Sequence, residues 1–351
     1  MKFMLSILLT LLISGSSCRL SKPVQKPAAW SPVLKHADAK PGSLGDPNLK
    51  FIGRWDFSDR NRYTSYWGGA YVRVRFSGRM ISMRIGHPTN FFARIDDGPW
   101  ISYKNAKDTV TFRDIPSHGG WHTLTVAQGK DYDYLFDFRG FILPTHARTT
   151  KPVVSKIVVE YIGDSITSGY TDDQANVSDY GWVAAEILGA EHTQIAYPGI
   201  NLIDGYGRVK GNGMESQYFK SRSLKYPDAA AWDFRNYTAD IVLINLGTND
   251  NNNKVPDSAF RHSYISLIKG VRANYPKARI IALQTFLGIK TKPTLEAVAE
   301  INHAGDLDVY FLETSGWIAP KTSDYNDTAH PSVAGQEKVG RILAEKLKAY
   351  L

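Results

Sequence analysis

The chain has one cysteine in 351 residues, Cys18, so no disulfide can form within it. It has no HExxH motif and no paired-cysteine spacing, and its nine histidines are scattered, so we expect no metal and no cofactor. Basic residues outnumber acidic ones by 42 to 34, yet they form no basic run, and we expect no nucleic-acid partner. A GxSxG elbow and a GK[ST] phosphate loop are also absent.

No apolar run is long enough for a membrane span. The longest, at the amino end, covers residues 3–13; Lys2 precedes it, and small residues follow up to Cys18. This order of basic, apolar and small residues is typical of a secretory signal peptide, so we expect residues 1–18 to be a signal and the protein to be extracellular. A lipid anchor at Cys18 is the minor alternative, because Gly15 is a poor match to the aliphatic residue expected there.

The remaining chain divides into three parts. Residues 19–48 are rich in proline and predict an extended lead-in. Residues 49–145 alternate apolar and polar side chains, as in YVRVRFS from Tyr71, and predict an all-β sandwich. Residues 146–351 predict an α/β domain, because buried apolar runs alternate with helical patterns. The predicted strands are 157–162, 193–197, 241–246, 279–283 and 307–312, and the predicted helices are 180–189, 258–274, 293–303 and 332–350.

Unusual residues follow these strands in loops that should meet at one edge of a parallel sheet. Ser165 follows the first strand, Gly199 the second and Asn249 the third, while Asp327 and His330 precede the last helix. Together they supply a hydroxyl nucleophile, an imidazole base, a carboxylate and donors for an oxyanion. The sequence therefore predicts acyl transfer by a serine hydrolase.

We expect His330 to act as the base and Asp327, three residues earlier, to orient its ring. Asp324 is also close, and a backbone carbonyl could hold the imidazole instead, so this role stays open. The backbone N–H groups of Ser165 and Gly199, with the side-chain amide of Asn249, are the predicted oxyanion hole.

Four short blocks resemble those of the SGNH (GDSL-type) hydrolase superfamily: GDS at 163–165, the glycine of YPGIN, GTND at 247–250 and DTAHP at 327–331. The longer strings FIGRWDF, GGAYVRVRFSG and EYIGDSITSGY resemble carbohydrate esterase family 2. The resemblance implies a flavodoxin-like SGNH domain preceded by a jelly-roll sandwich. It also implies the same roles for Ser165, Gly199, Asn249, Asp327 and His330.

This resemblance implies a secreted esterase that removes O-acetyl groups from plant cell-wall polysaccharide such as xylan or glucomannan, often at the 6-O position of hexoses. Relatives often have an aromatic residue before the catalytic histidine, where Ala329 stands here. A lipase-like or small acyl-ester hydrolase and a non-catalytic carbohydrate-binding protein are the alternatives. Tyr206, Tyr218 and Trp232 are candidates either for sugar stacking or for the core. The sequence does not predict the oligomeric state.

Three glycosylation sequons begin at Asn176, Asn236 and Asn326. Because Asn326 adjoins Asp327, a glycan there would crowd the cleft, and we expect this sequon to be unoccupied or its glycan to point away from the cleft.

Overall fold

The computed structural model describes residues 39–116, 120–129, 135–207 and 211–351. The predicted signal peptide, 1–18, and most of the predicted lead-in, 19–48, lie outside the described residues. Within the described part of the chain, no helix has the length and apolar character needed to cross a membrane.

The described residues of the amino-terminal half form nine antiparallel strands. They are β1 (Lys50–Ile52), β2 (Trp55–Asp56), β3 (Tyr63–Ser65), β4 (Tyr71–Ser77), β5 (Ile81–Ile95), β6 (Ile101–Phe112), β7 (Trp121–Gln128), β8 (Phe136–Ile142) and β9 (Thr149–Thr150). The hydrogen-bonded order is β1-β4-β7-β5-β8-β3-β2, with β6 added to β5 and β9 added to β4. Alternate side chains point inward, as the period-two pattern requires, and fill a core rich in phenylalanine, tyrosine and tryptophan.

Strand β5 links the two parts of this sheet because it changes partner along its length. Its first part, around Met83, pairs with β8, whereas its second part, Phe91–Ile95, pairs with β7. Register irregularities separate the two parts, near Thr89. Such irregularities bend a strand, and the bend lets one strand join both layers of a barrel-like sandwich.

The carboxyl-terminal half alternates strands and helices. Its strands are β10 (Val158–Gly163), β11 (Glu191–Ala196), β12 (Ile241–Asn245), β13 (Arg279–Leu283) and β14 (Val309–Leu312). Its helices are α1 (Tyr180–Leu188), α2 (Met214–Gln217), α3 (Thr248–Asn252), α4 (Asp257–Asn274), α5 (Thr291–His303) and α6 (Val333–Leu347). All strand pairs are parallel, in the order β11-β10-β12-β13-β14. This is the flavodoxin-like order, and the fold class predicted from the sequence is confirmed.

Two differences from the sequence-based elements have a local cause. Strand β11 begins at Glu191 rather than 193, because this buried carboxylate accepts hydrogen bonds from Tyr71 and Arg73 of the sandwich. The short helices α2 and α3 were not predicted, since four or five residues carry too little periodicity to be recognised.

Arg54 joins the two domains. It is 1% exposed, and its guanidinium donates to the backbone oxygens of Tyr218 and Lys220. The same group lies over the rings of Tyr218 and Trp232, which are therefore core residues rather than sugar platforms. Nearby, buried Glu160 accepts hydrogen bonds from the hydroxyls of Tyr218 and Tyr237. Burial raises the pKa of Glu160, and the positive charge of Arg54 opposes that rise.

We expect Arg54→Met to lower the free energy of unfolding by about 3–5 kcal/mol, because it leaves the buried Glu160 charge uncompensated. Urea denaturation measures the loss, and Arg235→Met, at an exposed arginine, is the control with no measurable change. Adding Glu160→Gln should recover part of the stability. A change in Arg54→Met as small as the control's would contradict the role of this ion.

Candidate active site

Ser165 lies on the turn directly after β10, and its exposed fraction is 7%. The turn is tightly held: Asp164 Oδ1 accepts the Ile166 N–H at 2.9 Å, and Ser165 O accepts the Tyr170 N–H at 2.9 Å. At Gly163, a Cβ atom would come within 2.0 Å of the Thr167 hydroxyl oxygen. A glycine is therefore required for the turn to fold back over the strand end.

A loop before α6 brings two of the other predicted residues to Ser165. His330 Nε2 lies 2.9 Å from Ser165 Oγ, and His330 Nδ1 lies 2.8 Å from Asp327 Oδ2. With the Nδ1 hydrogen directed at the carboxylate, Nε2 is left to accept the serine proton. The three side chains thus form one hydrogen-bonded chain with the geometry of a Ser-His-Asp triad.

The Asp327 carboxylate accepts hydrogen bonds from backbone N–H groups as well as from the imidazole. Its Oδ1 accepts the N–H groups of Ala329 and His330, each at 2.8 Å. Partial burial acts to raise the pKa of Asp327, but these bonds and the imidazole outweigh it and hold the pKa below its ordinary value. The carboxylate therefore stays ionised, ready to stabilise an imidazolium.

Asp324, the other nearby acid, has different partners. Its Oδ2 accepts the Ala319 N–H and pairs with Lys338, each at 3.0 Å. Of the alternatives that the sequence left open, the geometry favours Asp327 for the contact with the ring of His330.

Besides Ser165, the predicted oxyanion donors follow β11 and β12, the two strands that flank β10: Gly199 lies in the loop after β11, and Asn249 lies in the short helix α3 after β12 rather than in a loop. Gly199 has φ +83°, a conformation that favours glycine, and its backbone is exposed. Asn249 Nδ2 donates to Ile200 O at 3.0 Å and lies 3.3 Å from Asp164 Oδ2. The first bond ties the Gly199 loop to α3, and the second hydrogen is directed toward the turn that carries Ser165. Their roles as oxyanion donors stay predictions.

Two buried carboxylates support these loops. Asp250 accepts the N–H groups of Leu202 and Ile203, so it fixes the loop that contains Gly199. Burial raises the pKa of Asp250 to about 6 and that of Asp164 to about 7. Both carboxylates therefore have a structural role: Asp164 holds the turn of Ser165, and Asp250 holds the loop of Gly199. In the described part of the chain, no three His, Cys, Asp or Glu side chains cluster as metal ligands would.

The model of the GDSL-like lipase/acylhydrolase family matches residues 161–338, and a second model, the carbohydrate esterase 2 N-terminal domain, matches residues 51–152. The chain belongs to the GDSL-like lipase/acylhydrolase family. The first match spans the turn of Ser165 and the loop of His330, and the second spans the sandwich. The chain thus has the two-domain architecture of family 2 carbohydrate esterases, and its resemblance to them is confirmed.

Comparison with individual proteins also finds carbohydrate esterases as relatives. The chain is 31% identical over 341 residues to a cellulase/esterase, CelE, of Acetivibrio thermocellus, covering 89% of this chain but 40% of that protein. It is 20% identical to an acetylxylan esterase/glucomannan deacetylase of Cellvibrio japonicus, covering 87% of this chain and 90% of that one. The structure of a family two carbohydrate esterase from Clostridium thermocellum in complex with cellohexaose has a TM-score of 0.73 and 28% identity, and the alignment covers 86% of this chain and 100% of that one.

In this member of the GDSL-like family, sequence reasoning missed two residues at the site. Gln336 of α6 is buried; its Nε2 donates to Ile166 O at 2.9 Å, and its Oε1 accepts the Tyr180 N–H at 3.0 Å. It therefore fixes α6 against the serine turn. The ring of Tyr170 lies 5.0 Å from that of His330. A buried-face glutamine in an amphipathic helix is a weak signal for Gln336, and we find none for Tyr170.

We expect Asp327→Asn to lower kcat about a thousandfold or more without unfolding the protein, because an amide N–H facing Nδ1 would favour the wrong imidazole tautomer. Steady-state kinetics with a soluble acetyl ester measures the loss. Asp324→Asn is the matched control and should keep nearly full activity. Equal effects of the two substitutions would argue against the assignment of Asp327.

Asp164 should make stability depend on pH. Its pKa is about 7 in the folded chain and about 4 in an unfolded one, so the folded state holds the proton more tightly. The free energy of unfolding is therefore expected to fall as the pH rises through about 7, and less steeply in Asp164→Asn. Urea denaturation between about pH 5 and pH 8 measures both slopes. Identical slopes would contradict a buried, titrating Asp164.

Proposed function

We propose that the protein is a secreted serine esterase that removes O-acetyl groups from plant cell-wall polysaccharide. The observation that supports this most is the hydrogen-bonded chain from Asp327 through His330 to Ser165, at the carboxyl edge of the sheet. In this geometry a hydroxyl becomes a nucleophile at neutral pH without a metal.

In the proposed reaction, Ser165 Oγ attacks the acetyl carbonyl carbon while His330 Nε2 takes the hydroxyl proton. The negative charge that develops on the carbonyl oxygen is stabilised by the N–H groups of Ser165 and Gly199 and by the amide of Asn249, which gives up its 3.3 Å contact with Asp164 Oδ2 to donate there. The tetrahedral intermediate collapses, the bond to the sugar oxygen breaks, and His330 returns the proton to that oxygen. Asp327 stabilises the imidazolium in between.

The resulting acetyl-serine is then hydrolysed. Water attacks the acetyl carbon, His330 takes a proton from the water, and the serine oxygen leaves and regains a proton from the imidazole. The products are acetate and the free enzyme, so the cycle needs no cofactor.

Two observations support the polysaccharide as substrate class. The curated Cellvibrio relative is named for acetylxylan and glucomannan, and the Clostridium structure contains cellohexaose. The segments that carry Gly199 and Asn249 are polar, with Gly199 exposed and Asn249 partly exposed, and suit the recognition of hydroxyl groups better than that of a lipid chain. Tyr206, which is 39% exposed, is the remaining aromatic candidate for a sugar contact.

We expect the purified protein to release acetate from acetylated glucomannan or xylan, and Ser165→Ala to lower this activity at least a thousandfold. A long-chain ester is assayed in parallel, because activity on that ester alone would indicate a lipase-like enzyme. Binding of polysaccharide with no hydrolysis of any ester would instead indicate a carbohydrate-binding protein. Release unchanged in Ser165→Ala would contradict the proposed mechanism.

A further inference from the structure

Asn326 connects the loop of the predicted acid and base to the turn of the predicted nucleophile. Its Nδ2 lies 3.2 Å from both the carbonyl oxygen and the hydroxyl oxygen of Thr171, 155 residues away in sequence. Its backbone N–H donates to His330 O at 2.9 Å. A single residue therefore contacts the histidine through its backbone and the serine turn through its side chain.

Thr171 has an unusual backbone conformation. Its φ is +73°, in the left-handed region that a β-branched residue rarely adopts. Such conformations persist where the surroundings hold them, and they cluster at functional sites. Here both acceptors of Thr171 lie within reach of the same amide group, so the contact with Asn326 helps to hold this conformation.

The residue before Thr171 contacts the backbone of Ser165 and the ring of His330. The Tyr170 N–H donates to Ser165 O at 2.9 Å, and its ring lies 5.0 Å from the His330 ring, at an interplanar angle of 56°. Tyr170 and Thr171 are thus part of the turn that carries Ser165, the serine turn. The loop that carries Asp327 and His330, the histidine loop, packs against these two residues.

The histidine loop needs an external support of this kind. The bridge between Tyr325 and Pro331 closes the loop on itself, and Gln336 anchors only the helix that follows it. The Asp327 side chain is 43% exposed, so packing against the domain contributes little to its position. The contacts of Asn326 and His330 with Thr171 and Tyr170 join this loop directly to the serine turn.

We propose that Asn326 is a positioning residue for the reaction: its amide binds Thr171 and thereby holds His330 Nε2 at the correct distance from Ser165 Oγ. This proposal rests on the proposed function. A shift of about 1 Å in a catalytic group can cost about a hundredfold in rate, so loss of this contact should lower kcat rather than substrate affinity.

The same atom is the attachment point of the Asn326-Asp327-Thr328 sequon. A glycan would replace one of the two Nδ2 hydrogens and place a sugar between the loop and the turn. The sequon at Asn176 differs, because that side chain is buried and donates to Gln128 O. The sequon at Asn236 is exposed, and its amide donates to Asp233 O. It therefore provides a control away from the triad residues.

The test is the kinetics of Asn326→Ala on an acetylated polysaccharide. We expect kcat to fall about ten- to a hundredfold with KM within about twofold of wild type. Asn236→Ala and Thr328→Ala are the matched controls: both remove a sequon and keep the Asn326 amide, so both should stay within about twofold. If Asn326→Ala does not fold, as judged by circular dichroism, Asn326→Asp carries the test, since it keeps the size and loses the donor.

A double-mutant cycle tests the contact itself. Thr171→Ala removes the hydroxyl, and in that background Asn326→Ala should cost less in kcat than it does in the wild type. Fully additive effects, or an unchanged kcat in Asn326→Ala, would overturn the proposal. Failure of the proposed function would be recognised separately, because the wild type would then release no acetate from the polysaccharide, or Ser165→Ala would release as much as the wild type.

Discussion

The hydrogen bond between His330 Nε2 and Ser165 Oγ, 2.9 Å long, is the interaction on which the account of this molecule depends. It joins the turn after β10 to a loop 165 residues later, so it exists only if both ends of the α/β domain are correctly placed. Parallel strands end at the same edge of the sheet, which brings the two segments together. Asp327 then orients the ring of His330, and Gln336 fixes the helix that follows the loop against the turn of Ser165.

Buried polar groups position the other loops of the site. Asp250 holds the Gly199 loop, Asn249 ties that loop to the Ser165 turn, and Asp164 shapes the turn itself. Each would cost stability if left unpaired, so each specifies one arrangement of its loop. At the domain boundary, Arg54 and Glu160 do the same for the sandwich, and they fix one orientation of the two domains without any disulfide.

The strands of the α/β domain and the residues that follow them could be predicted from the sequence, because buried strands leave a regular apolar pattern. Strand periodicity located the ends of β10, β11 and β12, and the residues after those ends are the ones that meet at the site. Contacts between distant segments were not predictable in the same way. Whether Tyr218 and Trp232 lie in the core or at the surface depends on their contact with Arg54, a residue of the other domain. The contact of Asn326 with Thr171 depends on a backbone conformation that threonine rarely adopts.

The hydrogen bond from Ser165 to His330 implies that His330 activates Ser165 as a nucleophile. Labelling with an organophosphorus ester, which reacts covalently with activated serines, tests it most directly when peptide mass spectrometry locates the label. We expect a single label on Ser165 in the wild type and almost none in His330→Ala. Labelling at another residue, or equally fast labelling of Ser165 in His330→Ala, would contradict it.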